Sequence, residues 1–482
     1  MGKQGGAEAL LLKIRNGQEM TAAEELSLAL HLSLPAVMAQ ITSIIMQYID
    51  ASMAGRLGAV ESASIGLVSS STWLFGGLCM AVAAGFSVQT AQLIGAGREE
   101  DARSVLRQGL LTAAFFSVLM LLVGLSISGP LPAWLGADGK LRRGAIDYLR
   151  IYVCSLPAVQ MNYLASNMLQ CSGNMKTPSM LNVLMCLLDV IFNALFIFPS
   201  RHISVGGFAL FLPGAGMGVA GAALGTALAQ AVTAVLMLRA LVFCSPSLRL
   251  SKGGSWKFER ECLVRAARIA VPVGLQHALM NGAMIVTTKI VAPLGAVSIA
   301  ANSFAVTAES LCYMPGYGIA DAAATLVGQS IGAGRRELVE RFSRLTVGLG
   351  MAVMAFTGAV MFFAAPLMLA LLTPVPEIQE LGVKILRIEA FAEPLFAASI
   401  VVSGALRGAG DTLIPSIMNF VSLWFVRLTL AVVLSASLGL TGVWIAMCAE
   451  LCFRGLIFLY RLKSGKWIRM ENAYVMQSGE NA

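Results

Sequence analysis

The sequence predicts an all-α polytopic membrane protein, with twelve transmembrane helices in two pseudo-symmetric six-helix lobes around a central cleft. Three observations predict it. The 482 residues are 57% hydrophobic and only 12% charged, about half the charge fraction of a soluble domain. Apolar runs of about 20 residues or more recur from end to end, each enough to cross a ~30 Å hydrocarbon core. They are continuous rather than alternating, so helices are expected and not barrel strands. Finally, the chain is written twice, as shown below.

Taken in order, the spans are expected near residues 28–53, 63–93, 105–129, 144–169, 177–199, 214–242, 265–292, 299–331, 343–372, 382–405, 413–436 and 440–462. Ahead of them runs a polar, helical lead, Gly6 to Glu25, that is expected to continue straight into the first span; it lacks the pattern of a cleavable signal peptide. The predicted units are a lead (1–27), a first lobe (28–242), a linker (243–264), a second lobe (265–462) and a tail (463–482). The nine cysteines lie mostly inside spans, with no spacing that suggests zinc or a disulfide framework. The net charge of +8 comes from cations gathered in alternate loops, such as Arg98, Arg103 and Arg107, or Arg461, Lys463 and Lys466. That distribution is a topology signal and not a nucleic-acid signal. It predicts both termini on the cytoplasmic side of a plasma (inner) membrane.

The duplication is read from a constant offset. QLIGAGR (Gln92 to Arg98) recurs as QSIGAGR (Gln329 to Arg335), and 329 − 92 = 237. GNMKTPSMLN (Gly173 to Asn182) recurs as GDTLIPSIMN (Gly410 to Asn419), and 410 − 173 = 237. Pro35 and Pro272, Arg150 and Arg387, and Pro157 and Pro394 obey the same offset. Two homologous halves of six spans lie the same way up, related by an axis along the membrane normal. The register breaks only late in each half, where the first carries an extra piece, SRHISVGGFALFLPGAG, suited to a small hairpin.

These segments in this order resemble the MATE (multidrug and toxic compound extrusion) family. The resemblance rests on IDASMAGRLG (Ile49 to Gly58), the paired GAGR turns, GVAGAALGT (Gly218 to Thr226), LRGAGDT (Leu406 to Thr412) and RLKSGKW (Arg461 to Trp467), and it covers nearly the whole chain. It implies export of amphipathic, often cationic compounds, driven by inward movement of protons or sodium. It also implies a cation site in the first lobe, built from a span 1 aspartate, a span 5 Asn-x-x-x-Asp pair and a span 6 threonine. Asp50 and Thr226 match directly, whereas span 5 carries the pair in exchanged order, Asp189-x-x-x-Asn193. The two groups are displaced by one helical turn, about 5–6 Å.

Read from the residues alone, Asp189 is a costly group in an apolar run, and intramembrane acids are functional by default. Asp189 and Asn193 share a helix face. The offset places Thr287, Val426 and Leu430 opposite Asp50, Asp189 and Asn193, so the repeat itself does not demand these groups. Two carboxylates facing one cavity cannot both ionise cheaply, which suits a proton that binds and leaves. Alternatively, Asp50, Asp189, Asn193 and Thr226 supply the oxygens that a sodium ion favours. The bland alternatives are hydrogen bonds that clamp helices and, for Thr226, packing among Gly221, Ala222, Ala223 and Gly225.

The second lobe carries Glu309, Asp321, Glu389, Glu393, Arg427 and Glu450 within its spans. A Glu393–Arg427 pair is expected, while Glu309 suits a cationic substrate, a second proton carrier or a structural contact. Where the sodium-coupled branch of the family has acids in spans 7 and 10, this chain has Met280 and Phe396. Gln276, His277 and Asn281 are the polar groups nearby. Pro35 could bend the first span as Asp50 changes protonation, although its counterpart Pro272 favours a kink shared by both halves.

The expected function is therefore a secondary antiporter that alternates access by rocking two lobes. A flippase for a lipid-linked or other amphipathic metabolite is the alternative. Its cavity would need cations for a pyrophosphate, and the spans offer mainly Arg427 and Lys289. Without a nucleotide-binding loop, metal cluster or nucleophile motif, an enzyme is not expected, nor a cofactor. A monomer is expected, with the bilayer and small amphipathic cations as its partners.

Overall fold

The computed structural model describes residues 4–205, 208–250 and 254–470, so the last part of the expected tail and the centre of the expected hairpin lie outside the described residues. The first half contains α1 (Gln4–Arg15), α2 (Ala22–Gly55), α3 (Ala59–Gly95), α4 (Glu99–Ser128), the short α5 (Leu131–Trp134), α6 (Gly139–Cys171), α7 (Lys176–Ile197) and α8 (Gly218–Arg239). Between α7 and α8, β1 (Pro199–Val205) pairs antiparallel with β2 (Phe208–Ala215), the hairpin that the extra sequence suggests. The second half contains α9 (Arg260–Val291), α10 (Ala296–Gly332), α11 (Arg336–Leu372), α12 (Pro376–Glu389), α13 (Glu393–Gly408), α14 (Leu413–Val421), α15 (Leu428–Leu438) and α16 (Leu440–Ser464).

Among the described residues, nine helices are long and apolar enough to cross a membrane by length and composition. The other three spans are α6, α10 and the α12–α13 pair. α6 and α10 are long enough but line the interior, where small and polar side chains lower their apolarity. The molecule is apolar outward. On α11, Phe363 and Leu371 are 78% and 80% exposed, while the spans enclose buried glutamines and acids. That distribution suits hydrocarbon as the surrounding solvent.

The 237-residue offset is visible in the helix ends. α3 (59–95) maps onto α10 (296–332), and α6 (139–171) maps onto α12 plus α13 (376–408). The halves join by equivalent pairs, α2 against α10 and α3 against α9. At the end that carries the GAGR turns they are locked by two symmetric bonds. Gln92 Nε2 donates to the Gly408 carbonyl at 3.3 Å, and Gln329 Nε2 to the Cys171 carbonyl at 2.8 Å. A Cβ on Gly95 would collide with the Gln329 carbonyl, and one on Gly332 with that of Gln92. Glycine there lets two backbones touch.

Two local expectations are corrected. The lead does not run straight into the first span. It ends at Arg15, turns, and α2 restarts behind a capping box in which Glu24 N donates to Thr21 Oγ1 (3.3 Å) and Thr21 N to Glu24 Oε2 (3.0 Å). Lys13 pairs with Glu24 at 2.6 Å, and Leu11 and Ile14 are buried against Leu28, Leu326 and Phe342 of both halves. The apolar face of α1 therefore docks sideways. The tenth span is also interrupted, between Glu389 and Glu393. Its counterpart α6 keeps Pro157 inside a continuous helix, whereas Pro394 sits in the first turn of α13, where its missing N–H leaves no gap.

Candidate functional site

The Asp50, Asp189 and Asn193 side chains meet between α2 and α7. Asn193 Nδ2 donates to Asp50 Oδ1 and to Asp189 Oδ2, each at 3.0 Å. The two carboxyls lie within hydrogen-bonding reach of one another, and the Thr226 hydroxyl within reach of Asp189. Asp189 and Asn193 are buried, each 1% exposed. This convergence is built by helix packing. Asp189 and Asn193 are one turn apart on α7, and α8 approaches closely because Gly221 and Gly225 have no side chains. A Cβ on Gly225 would collide with Asn193 Oδ1, and one on Gly221 with the Phe196 carbonyl.

Two acceptors in this cluster lack hydrogen-bond partners, Asp189 Oδ1 and Asn193 Oδ1. A buried acceptor without a donor is costly, so the cluster can take up a cation. Beside it is a cavity of about 90 Å³ lined by Tyr148, Tyr152, Tyr163, Thr226 and Gln230, among others. Thr226 thus stands between cluster and cavity. The tyrosines and Gln230 were not legible as site residues. Their spacing on α6 reads as helix packing, and only the fold shows which face looks inward.

The second-half candidates do not converge on this site. Gln276 Oε1 accepts from Ser416 Oγ at 3.2 Å, and Asn281 Nδ2 donates to its own helix at the His277 carbonyl, 2.9 Å away. His277 lies over Gly77, where a Cβ would collide with the imidazole. Pro35 lies within α2, one helix with Asp50. Asp321 is paired with Arg407 at 2.8 Å.

The expected Glu393–Arg427 pair does not form. Arg427 Nη2 binds Glu450 Oε2 at 2.8 Å instead, and Arg454 Nε binds Glu450 Oε1 at 3.0 Å. A π-helical turn, Ser422–Arg427, sits between α14 and α15 and ends on Arg427 next to α16. The sequence hides that turn, and with it the direction of Arg427. Arg454 was overlooked, although its i, i+4 relation to Glu450 on α16 was available as a signal. Glu309 and Glu393 remain buried near Glu389.

The family model MatE matches the chain twice, over residues 35–195 and 272–433. The two matches begin 272 − 35 = 237 residues apart, the offset of the internal repeat. Among curated relatives, "Probable multidrug resistance protein NorM" of Deinococcus radiodurans is 30% identical over 458 residues, covering 92% of this chain and 97% of that protein. The protein of the same name from Thermotoga maritima is 27% identical over 441 residues, covering 90% and 92%. A solved outward-facing conformation of a multidrug resistance MATE family transporter of the MOP superfamily superposes with a TM-score of 0.84, at 21% identity, covering 96% of this chain and 98% of that one. A MOP superfamily transporter from Pyrococcus furiosus superposes equally well, at 20% identity and 96% and 98% coverage. Repeat, two-lobe fold and family match agree, and the chain belongs to the MATE family of membrane transporters, not to a family of enzymes.

Proposed function

We propose that the protein exports amphipathic, cationic drugs or toxins in exchange for protons, by alternating access between two lobes. The observation that carries the reading is the Asp50–Asn193–Asp189 cluster beside the first-half cavity. The relatives' names support multidrug export. The choice of proton is supported by the amide. Its N–H donors point to both carboxyls, in the space where a sodium ion would want oxygens. One proton shared between Asp50 and Asp189 removes charge repulsion, and a second empties the site of negative charge.

In this cycle the carboxyls load protons while the GAGR end is closed and the opposite end is open. Loss of charge lets α2, α7 and α8 repack and narrow the cavity, which displaces a bound cation. The lobes, 28–242 and 265–462, then rock so that the Gln92 and Gln329 contacts part and the GAGR end opens, and the linker 243–264 accommodates the change. Basic loops at the GAGR end support its placement, with both termini, on the cytoplasmic side of the inner membrane. The working unit in this reading is the monomer.

The test is efflux of a fluorescent lipophilic cation from vesicles holding the purified protein. A pH gradient and a sodium gradient are imposed separately. The proton gradient alone is expected to drive efflux, and Asp50→Asn or Asp189→Asn to lower it at least about tenfold, the equivalent of 1.4 kcal/mol of coupling. Efflux driven by sodium alone assigns the cluster to that ion. Robust efflux in both variants makes the aspartates structural.

A further inference from the structure

The lead helix α1 touches both halves at the end that carries the GAGR turns. Its apolar residues Ala7, Leu10, Leu11 and Ile14 recur at helical spacing and share one face. A helix of 12 residues is marginal by itself in water, so α1 depends on what that face meets. Leu11 and Ile14 are buried. The first half supplies Leu28 and Leu32 of α2 and Met175 just ahead of α7 to their seat, and the second supplies Leu326 of α10 with Leu338 and Phe342 of α11. Leu11 also lies against Gly173, where a Cβ would collide with its Cδ1.

Polar contacts tie the same helix to each half. Arg15, at the end of α1, reaches Glu99 at the start of α4 at 3.9 Å, and its Nε is buried without a hydrogen-bond partner. From the other side, Arg335 of the second GAGR turn donates from Nη1 to the Lys13 carbonyl at 3.4 Å and to the Gln18 carbonyl. A helix end leaves its last carbonyls open, and a cation placed there also meets the negative end of the dipole. One helix is thereby held by an acid of the first half and an arginine of the second.

The repeat does not require this seat. The 237-residue offset maps Leu326 and Leu338 onto Gln89 and Asp101 of the first half. There, Gln89 Nε2 donates to the Cys262 carbonyl at 3.2 Å. Asp101 receives Arg98, the counterpart of Arg335, at 2.6 Å. In the second half that acid is replaced by a leucine beneath α1, and the arginine turns to α1 instead. The apolar seat and the redirected arginine therefore belong to the docking of α1 and not to the shared frame.

We propose that α1 is a latch on the GAGR end. It binds across the two halves while that end is closed, and it must leave one of them before the end can open. The inference presumes the alternating access of the reading above, but neither its ion nor its substrate. The test is timed alkylation of the purified full-length protein in detergent with N-ethylmaleimide, followed at each cysteine by mass spectrometry of the peptides. Cys262 reports opening, because it is buried where α9 meets α3, in an apolar cluster that α1 does not join. Cys312, buried inside the second half beside Thr357, reports the integrity of the fold. Leu11→Ala combined with Ile14→Ala is expected to speed labelling of Cys262 at least about tenfold, the shift that about 1.4 kcal/mol gives, and to leave Cys312 unchanged. Arg335→Ala removes only the tie to the α1 carbonyls and should speed it less, by about threefold. Leu11→Met keeps the volume of the side chain and should label at the wild-type rate. An unchanged Cys262 rate in the double variant overturns the proposal, since α1 then rides on one half alone. Equal acceleration at Cys312 assigns α1 to general stability and overturns it as well. Faster labelling of Cys262 alone, in a protein that exports no cation under a pH gradient, keeps the latch and removes the exporter reading.

Discussion

The acid cluster of the first half and that of the second solve the same problem in opposite ways. Asp50 and Asp189 are joined by one amide that donates to each. In the second half one carboxylate, Glu450, collects two arginines, while Glu389 has no hydrogen-bond partner and Glu393 has only the Cys312 thiol within reach. Neither arrangement has a counterpart across the repeat. Asp50 and Asp189 map to Thr287 and Val426, while Glu309 and Glu389 map to Thr72 and Tyr152. The duplication therefore dictates backbone positions, and each half has placed its charges independently on that shared frame.

The comparison can be broken most forcefully at Glu450. Glu450→Ala strands the buried Arg454 and the part-buried Arg427 and is expected to cost about 3–5 kcal/mol. Thermal unfolding in detergent checks this, and an unchanged midpoint would show that the triad is not a structural clamp. Next in size is Asn193→Ala, which removes the shared donor and should cost about 1–3 kcal/mol. It should also depress efflux by roughly tenfold. Gly332→Val forces a side chain against the Gln92 carbonyl, an overpacking cost of about 1–3 kcal/mol. That cost falls on the closed GAGR end. A cysteine probe there should label faster, and equal labelling would remove this contact from the gate. The smallest effect belongs to Tyr152→Phe, which loses one hydrogen bond of about 0.5–1.5 kcal/mol. A change as large as that of Glu450→Ala would mean that the neutral first-half contact matters as much as the ionic one.

The frame itself was legible in the sequence, because a constant offset survives divergence of side chains. So were Asp50, Asp189 and Asn193, since acids and amides inside apolar runs announce themselves, and their spacing on α7 implies one face. What the sequence concealed came from departures from regular helix. The Glu393–Arg427 expectation assumed two continuous helices, but span 10 breaks at Glu389 and span 11 inserts a π turn at Arg427. Either irregularity rotates the downstream face, so partners cannot be read from spacing. The lead was misjudged for a related reason. Its polar composition was plain, but the turn before Thr21 depends on Leu11 and Ile14 finding an apolar seat formed by both halves.

The exchanged glutamine bonds across the GAGR end have an ancestry written into them. Gln92 reaches the partner half as Gln329 reaches back, which is the self-complementary geometry of a two-fold homodimer interface. A six-helix precursor with this glutamine and the Gly-rich turn could have paired with a second copy of itself, in the same orientation, before any linker joined them. On that view the fusion added connection rather than contact. The two halves, expressed as separate polypeptides, should still find each other in the membrane.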